Sequence, residues 1–331
     1  MSTRRRLVIA LGAGALAAPF MTFAQPHPRI YRVGMLGTAS QSNSATLYNA
    51  FLQGLKDLGY VEGTNVQFER RFAEGKLESL PALAAELMRE KVDVIFAPSS
   101  PAVRAAKQVA GTTPIVFAVV NDPVERGFVA SLAQPGGNIT GITSVSPELS
   151  GKRLRLLKEA FPKTSHLAIA IAREPDVATQ VAAQIAVVRK AAQSLGMEVL
   201  PIEIRSRKAY YDAADVLHKW HANAMTCLDT AANFFNREVL TEFAAKMRLP
   251  AIYTSREYAD AGGLMSYGSN SEWNYREAAA YVDKILKGAK PADLPVAAPN
   301  RFELVLNPKV AKVLGFKFPD AILQKADRLV K

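Results

Sequence analysis

The chain has 331 residues, 49% hydrophobic and 21% charged, which excludes disorder or collagen-like repetition and leaves room for one large or two medium domains. No apolar run of roughly eighteen residues lies beyond the N-terminus, and the single Cys227 excludes an intrachain disulfide or a Cys-x-x-Cys zinc or redox site. The formal charge of +11 is spread over Lys56, Lys107, Lys152, Arg153, Lys190, Lys246 and Lys312 on amphipathic helices, with no basic run, so no nucleic-acid partner is expected.

The chain opens as an address. Arg4, Arg5 and Arg6 precede an apolar stretch over 7–23, and Thr22-Phe23-Ala24 offers a small residue before a cut at Gln25. This is the pattern of a secretory signal peptide over 1–24. The arginines also fit a twin-arginine signal, and ordinary basic starts give the same letters, so both export routes stay open. No cysteine follows to carry a lipid, so a periplasmic protein is expected. Losing the three arginines lowers its formal charge from +11 to +8.

Strands are predicted at 31–37, 66–72, 92–97, 114–120 and 138–145, with helices between them at 45–58, 77–89 and 101–110. A helix at 148–160 leads to a second series. It has strands at 166–172, 197–204, 224–228, 251–253, 264–267 and 302–306, and helices at 177–195, 210–221, 237–247 and 273–286. Helices at 308–314 and 320–330 close the chain. Runs such as Pro114 to Val120 are apolar throughout, as strands of a parallel sheet covered on both faces must be. Two successive βαβ series predict an α/β protein of two doubly wound lobes.

Chemical signatures are sparse. There is no G-x-S-x-G elbow and no Walker A loop, and Gly12-Ala-Gly14 lies inside the export signal, where it cannot cradle a phosphate. His218 and His221 stand three apart on a predicted helix, with no third ligand type beside them; a surface pair is the reading, and no metal or cofactor is expected. Cys227 sits in an apolar strand as a small core residue.

Polar residues gather instead at the carboxyl ends of predicted strands, where open α/β sheets bind ligands. These are Gly37-Thr38-Ala39-Ser40, Pro98-Ser99-Ser100-Pro101 and Asn121-Asp122-Pro123. Ser100-Pro101 reads as an N-cap followed by proline at the first helical position, an opening that suits an anion. Asp122-Pro123-Val124-Glu125 reads as a capping box, so Asp122 either caps a helix or meets a ligand. Ser100 and Asp122 together would bind the two ends of a zwitterion.

Long blocks of the chain resemble the ABC-transporter substrate-binding proteins of the tryptophan/tyrosine-binding type. They are Gly54-Leu55-Lys56-Asp57-Leu58-Gly59-Tyr60-Val61-Glu62-Gly63, Leu80-Pro81-Ala82-Leu83-Ala84, Pro114-Ile115-Val116-Phe117-Ala118 and Asp122-Pro123-Val124. Pro135-Gly136-Gly137-Asn138-Ile139-Thr140-Gly141 and Ala261-Gly262-Gly263-Leu264-Met265-Ser266-Tyr267-Gly268 continue the likeness. Ile285-Leu286-Lys287-Gly288, Pro291-Ala292-Asp293-Leu294-Pro295 and Phe302-Glu303-Leu304-Val305 complete it.

The resemblance implies a type I periplasmic-binding fold, with two lobes joined by three crossings and a ligand shut between them. Lobe 1 would hold 28–143 and 264–297, and lobe 2 would hold 144–263 and 298–331. It implies a monomeric binding protein, not an enzyme, that docks on an ABC permease with its ATPase. The ligand would be a small polar molecule of amino-acid or aromatic-acid type. Thr38, Ser40, Ser100 and Asp122 would hold it from lobe 1, with Ser99 and Asn121 beside them at the same strand ends. Asp229 and Tyr253 would approach from lobe 2, and Tyr267 would lie near a crossing. Relatives carry an asparagine/proline-rich turn where this chain has Arg173-Glu174-Pro175-Asp176, so Arg173 either marks a different cargo or belongs to a salt-bridged loop.

Three other readings share parts of this pattern. A periplasmic sensor without transport would have the same lobes. A secreted hydrolase would have only Ser99 or Ser100 with a distant His166. A LacI-like repressor would need a helix-turn-helix where the export signal stands.

Overall fold

The computed structural model describes residues 29–144, 148–171, 178–204 and 206–331; the expected export signal and Arg173 lie outside them. The first series runs Tyr31–Gly37 (β1), Ala45–Asp57 (α1), Val66–Phe72 (β2), Leu80–Arg89 (α2), Val94–Phe96 (β3), Ser100–Val109 (α3), Ile115–Val120 (β4) and Ile139–Thr143 (β5). The second begins with Ser150–Ala160 (α4), His166–Ile171 (β6), Ala178–Gln193 (α5), Glu198–Glu203 (β7), Tyr210–Lys219 (α6) and Ala224–Cys227 (β8). It continues with Ala231–Phe235 (α7), Arg237–Lys246 (α8), Ala251–Tyr253 (β9), Arg256–Asp260 (α9) and Met265–Ser269 (β10). Ser271–Leu286 (α10), Phe302–Leu306 (β11), Pro308–Leu314 (α11), Asp320–Leu323 (α12) and Arg328–Leu329 (β12) complete the order.

The strands form two sheets, β2-β1-β3-β4-β5 and β12-β11-β10-β9-β8-β6-β7. Every pairing is parallel except β10 with β11. Read from β7 to β10, the second sheet repeats the order of the first, so each lobe has its switch point where the chain turns outward from its first strand. Alternation builds two cores on each sheet. Val94 and Phe96 face one side of β3 while Ile95 and Ala97 face the other; Leu167 and Ile169 divide from Ala168 and Ala170 in the same way on β6.

The chain changes lobe between 144 and 148, between Ser269 and Ser271, and again beyond Ala297, which bridges to Ile142 before the chain enters β11. Helix α10 returns to lobe 1, where Ala278, Ala279 and Val282 join the core formed by Leu47, Phe51 and Leu55 of α1. One boundary is corrected. Residues 264–269 were expected in lobe 1, but β10 pairs with β9 and β11 in the second sheet. Two helices differ as well. The expected helix at 320–330 ends at Leu323, and Arg328–Leu329 instead pairs with β11. No helix follows Asp122, because residues 123–127 form only turns.

Candidate functional site

A cavity of about 100 Å³ lies between the carboxyl ends of the two sheets. That is several times the space one water needs, so a small organic molecule is the fitting occupant. Residues following β1, β3, β4 and β5 reach it from lobe 1, and residues following β8, β9 and β10 reach it from lobe 2.

Lobe 1 contributes hydroxyls and a helix start. Ser99 and Ser100 lie at the N-terminus of α3, and Thr38 and Ser44 stand nearby. Ser99, rather than Ser100, is the N-cap; its backbone is extended (φ −119°, ψ 160°) and Pro101 occupies the second helical position. Its side chain accepts no capping hydrogen bond, and Oγ is buried without a partner among the described residues. A buried hydroxyl in that state is costly, and it stands beside the positive end of the helix dipole. Both facts favour an anionic group in the cavity. Tyr48 and Tyr275 give the same wall an aromatic surface, meeting edge to face with centroids 5.6 Å apart. Burial holds both phenols far above their usual pKa, so they remain neutral.

Lobe 2 contributes a carboxylate. Asp229 follows β8 and meets Asn121 of lobe 1, whose Nδ2 donates to the Asp229 carbonyl at 3.3 Å and to Oδ2 at 3.4 Å. Ser144, at the first crossing, donates to Asp229 Oδ2 at 3.5 Å and to Asn121 Oδ1. Arg126 Nε donates to the Asn121 carbonyl at 2.8 Å and also lines the cavity. Among the described lining residues, Asp229 and Arg126 are the acid and the base. Deeper in lobe 2, Arg153 is 4% exposed and its Nε donates to the Tyr267 carbonyl at 2.8 Å. Burial lowers the Arg153 pKa, and the charge of Asp229 acts to raise it again.

Thr38, Ser99, Ser100, Asn121 and Asp229 are thus brought together at one cavity. Four other expected residues do not line it. The Ser40 hydroxyl closes a local turn, accepting from Asn43 N at 3.1 Å and lying 3.1 Å from Ser42 Oγ. Asp122 has left-handed backbone (φ 48°), and Asn121 beside it lines the cavity instead. Tyr253 is fully buried, stacked on Tyr258 with ring centroids 5.0 Å apart. Tyr267 lies within β10 under Lys152, whose Nζ is 4.5 Å from the ring centroid. Arg173 lies outside the described residues.

The sequence reading missed Ser44, Arg126, Ser144, Thr254, Ser255, Ser269 and Ser271 among the lining residues. Thr254 and Ser269 carry the same signal as Thr38, a hydroxyl at a strand's carboxyl end. Gly268 lets their strands close up: a Cβ there would lie 1.8 Å from the Thr254 carbonyl oxygen. His166 begins β6 and so sits at the opposite end of its strand from the cavity; its ring bonds Ser165 Oγ at 3.0 Å. It offers no base to Ser99 or Ser100. Cys227 is buried, with its thiol pushed up to about 12 chiefly by that burial, which suits a core residue.

The sequence profile of the ABC transporter substrate binding protein family matches residues 33–330. The chain belongs to this family. Its members are substrate-binding proteins, and this chain is one of them rather than an enzyme. A curated relative from Clostridioides difficile strain R20291, the tyrosine-binding protein, is 26% identical over 275 residues, covering 81% of this chain and 76% of its own. The fold is shared with a Streptococcus pneumoniae ABC domain solved in complex with L-Trp (TM-score 0.82, 21% identity, 91% of this chain and 100% of that one). It is also shared with a ligand-free, open substrate-binding protein from Clostridium difficile (TM-score 0.68, 23% identity, 91% and 99%). Asn121 and Asp229 bring the two lobes into contact here.

Proposed function

We propose that this chain captures a zwitterionic amino acid with an aromatic side chain in the periplasm and delivers it to an ABC permease and its ATPase. One observation carries the reading: a carboxylate from one lobe faces hydroxyls and a helix start from the other across a small, partly aromatic cavity. An ammonium group suits Asp229, which accepts charge-assisted hydrogen bonds. A carboxylate suits Ser99, Ser100 and the N–H groups of α3, with Arg126 adding positive charge. Tyr48, Phe234 and Tyr275 supply an apolar wall for a ring. The relatives named for tyrosine and solved with L-Trp support the same ligand class. The basic and apolar residues ahead of Gln25 support export.

The test is to express the whole chain with its own N-terminus, purify it from the periplasmic fraction, measure its mass, and screen it against amino acids by thermal shift and calorimetry. A chain beginning at Gln25 is expected. Tryptophan or tyrosine should stabilise it by about 2.7 kcal/mol at a hundredfold excess over the dissociation constant. Binding of indole-3-acetate or tryptamine as tightly as tryptophan would overturn the zwitterion reading. Recovery only from membranes would overturn the localisation.

A further inference from the structure

Away from the polar end of the cavity, the lobes meet a second time. Arg237 begins α8 in lobe 2 and is 8% exposed. Its Nη1 donates to the Phe234 carbonyl at 3.1 Å, and its guanidinium lies 4.9 Å from the centroid of the Phe234 ring. Its Nη2 crosses to lobe 1 and donates to the Asn43 carbonyl at 2.9 Å. Phe234 lines the cavity, and so does Ser44, the neighbour of Asn43. Beside this bond, Phe235 packs so closely on the turn after β2 that a Cβ on Gly75 would lie 2.1 Å from its ring. Gly75 also has φ +81°, so glycine is required twice over.

We propose that Arg237 is a positioning residue for ligand capture, fastening the Phe234 wall of the cavity to lobe 1 so that wall formation and lobe closure are one event. The inference rests on the ligand-capture reading above and adds a residue that does not line the cavity. The guanidinium suits the task because its rigid fork can hold two carbonyls while its plane stacks on a ring. The crossing bond exists only when the lobes are together, so its free energy belongs to the closed state alone. Removing it therefore weakens every ligand by the same factor and leaves their ranking intact. Because the bond must break before the ligand leaves, the change falls mainly on the dissociation rate.

The test compares wild type with Arg237→Met, which keeps an apolar stem on Phe234, and Arg237→Lys, which keeps the charge without the fork. For tryptophan, tyrosine and phenylalanine, Arg237→Met should raise the dissociation constant about tenfold to hundredfold, the worth of a hydrogen bond to a charged group, with Arg237→Lys in between. The order of the three ligands should not change. A second readout uses ligand-free protein with spin labels at Val124→Cys and Val216→Cys, exposed positions on lobes 1 and 2; Cys227 is buried and stays unlabelled. The distance distribution in Arg237→Met should move away from that of wild type. Wild-type dissociation rates and label distances in Arg237→Met would overturn the proposal, as would a change in ligand ranking, which would mean direct contact with the ligand. If wild type binds none of the three amino acids, the ligand reading fails while the label distances still decide the role of Arg237.

Discussion

The two lobes share a strand order but face the cavity with opposite chemistry. Lobe 1 presents donors, the Ser99 and Ser100 hydroxyls at the start of α3 and the Arg126 guanidinium. Lobe 2 presents an acceptor of full negative charge, Asp229. The first set suits an anionic group and the second a cationic one. Both charge contacts strengthen once closure excludes water. The shared topology therefore sets where residues meet the ligand, and the residue types near the strand ends set which end of the ligand each lobe suits.

The sharpest way to break this comparison is Asp229→Asn. It keeps size and hydrogen-bonding atoms but removes the charge that would face an ammonium group. Affinity for tryptophan or tyrosine should fall by about 2–5 kcal/mol in calorimetry. An unchanged affinity would mean that lobe 2 does not read a cation. Ser99→Ala should cost about 1 kcal/mol of affinity, as one hydrogen bond does. The ligand-free melting temperature should hold or rise slightly, because the Ser99 hydroxyl has no partner among the described residues.

A third test concerns charge in lobe 2 away from the cavity. Burial raises the pKa of Glu303 on β11, and the charge of Arg256 only partly opposes this. A carboxyl raised on folding opposes stability when ionised, and the penalty disappears as the pH falls through the raised value. Glu303→Gln should therefore melt higher than wild type at pH 8, and the gain should shrink as the pH drops toward the ordinary glutamate range near pH 4. Melting curves across that window check both sign and position. The smallest effect is expected for Asp122→Asn, chemically the same change as Asp229→Asn. Asn tolerates the left-handed backbone at 122, and the position lies off the cavity. Affinity and melting temperature should both match wild type; a large loss of affinity would restore Asp122 as a ligand contact.

The fold was legible because long apolar strands such as Ile115–Val120 signal a sheet covered on both faces, whatever its neighbours. The site was legible only in part. Thr38, Ser99, Ser100, Asn121 and Asp229 are polar residues at strand ends, and strand ends are where open sheets bind. Ser44, Arg126, Ser144, Ser255 and Ser271 lie in turns, at helix starts and at a crossing, where a lone polar residue has no pattern to mark it as a binding residue. Tyr253 misled because a tyrosine at the end of a strand looks the same in sequence whether it faces a cleft or stacks in the core on Tyr258.

Local sequence alone determined most of the strands and helices, their alternation into two doubly wound series, and the strand ends where binding residues gather. Those features depend on the spacing of apolar side chains along a few turns or pleats, and that spacing is written in the chain. The tertiary structure decided the rest. It placed β10 in the second sheet, turned the backbone at Asp122 so that Asn121 meets Asp229, and carried Arg237 across to Asn43. Each of these depends on segments far apart in sequence arriving at the same place. The free energy of such a meeting belongs to the pair, so neither residue announces it by itself.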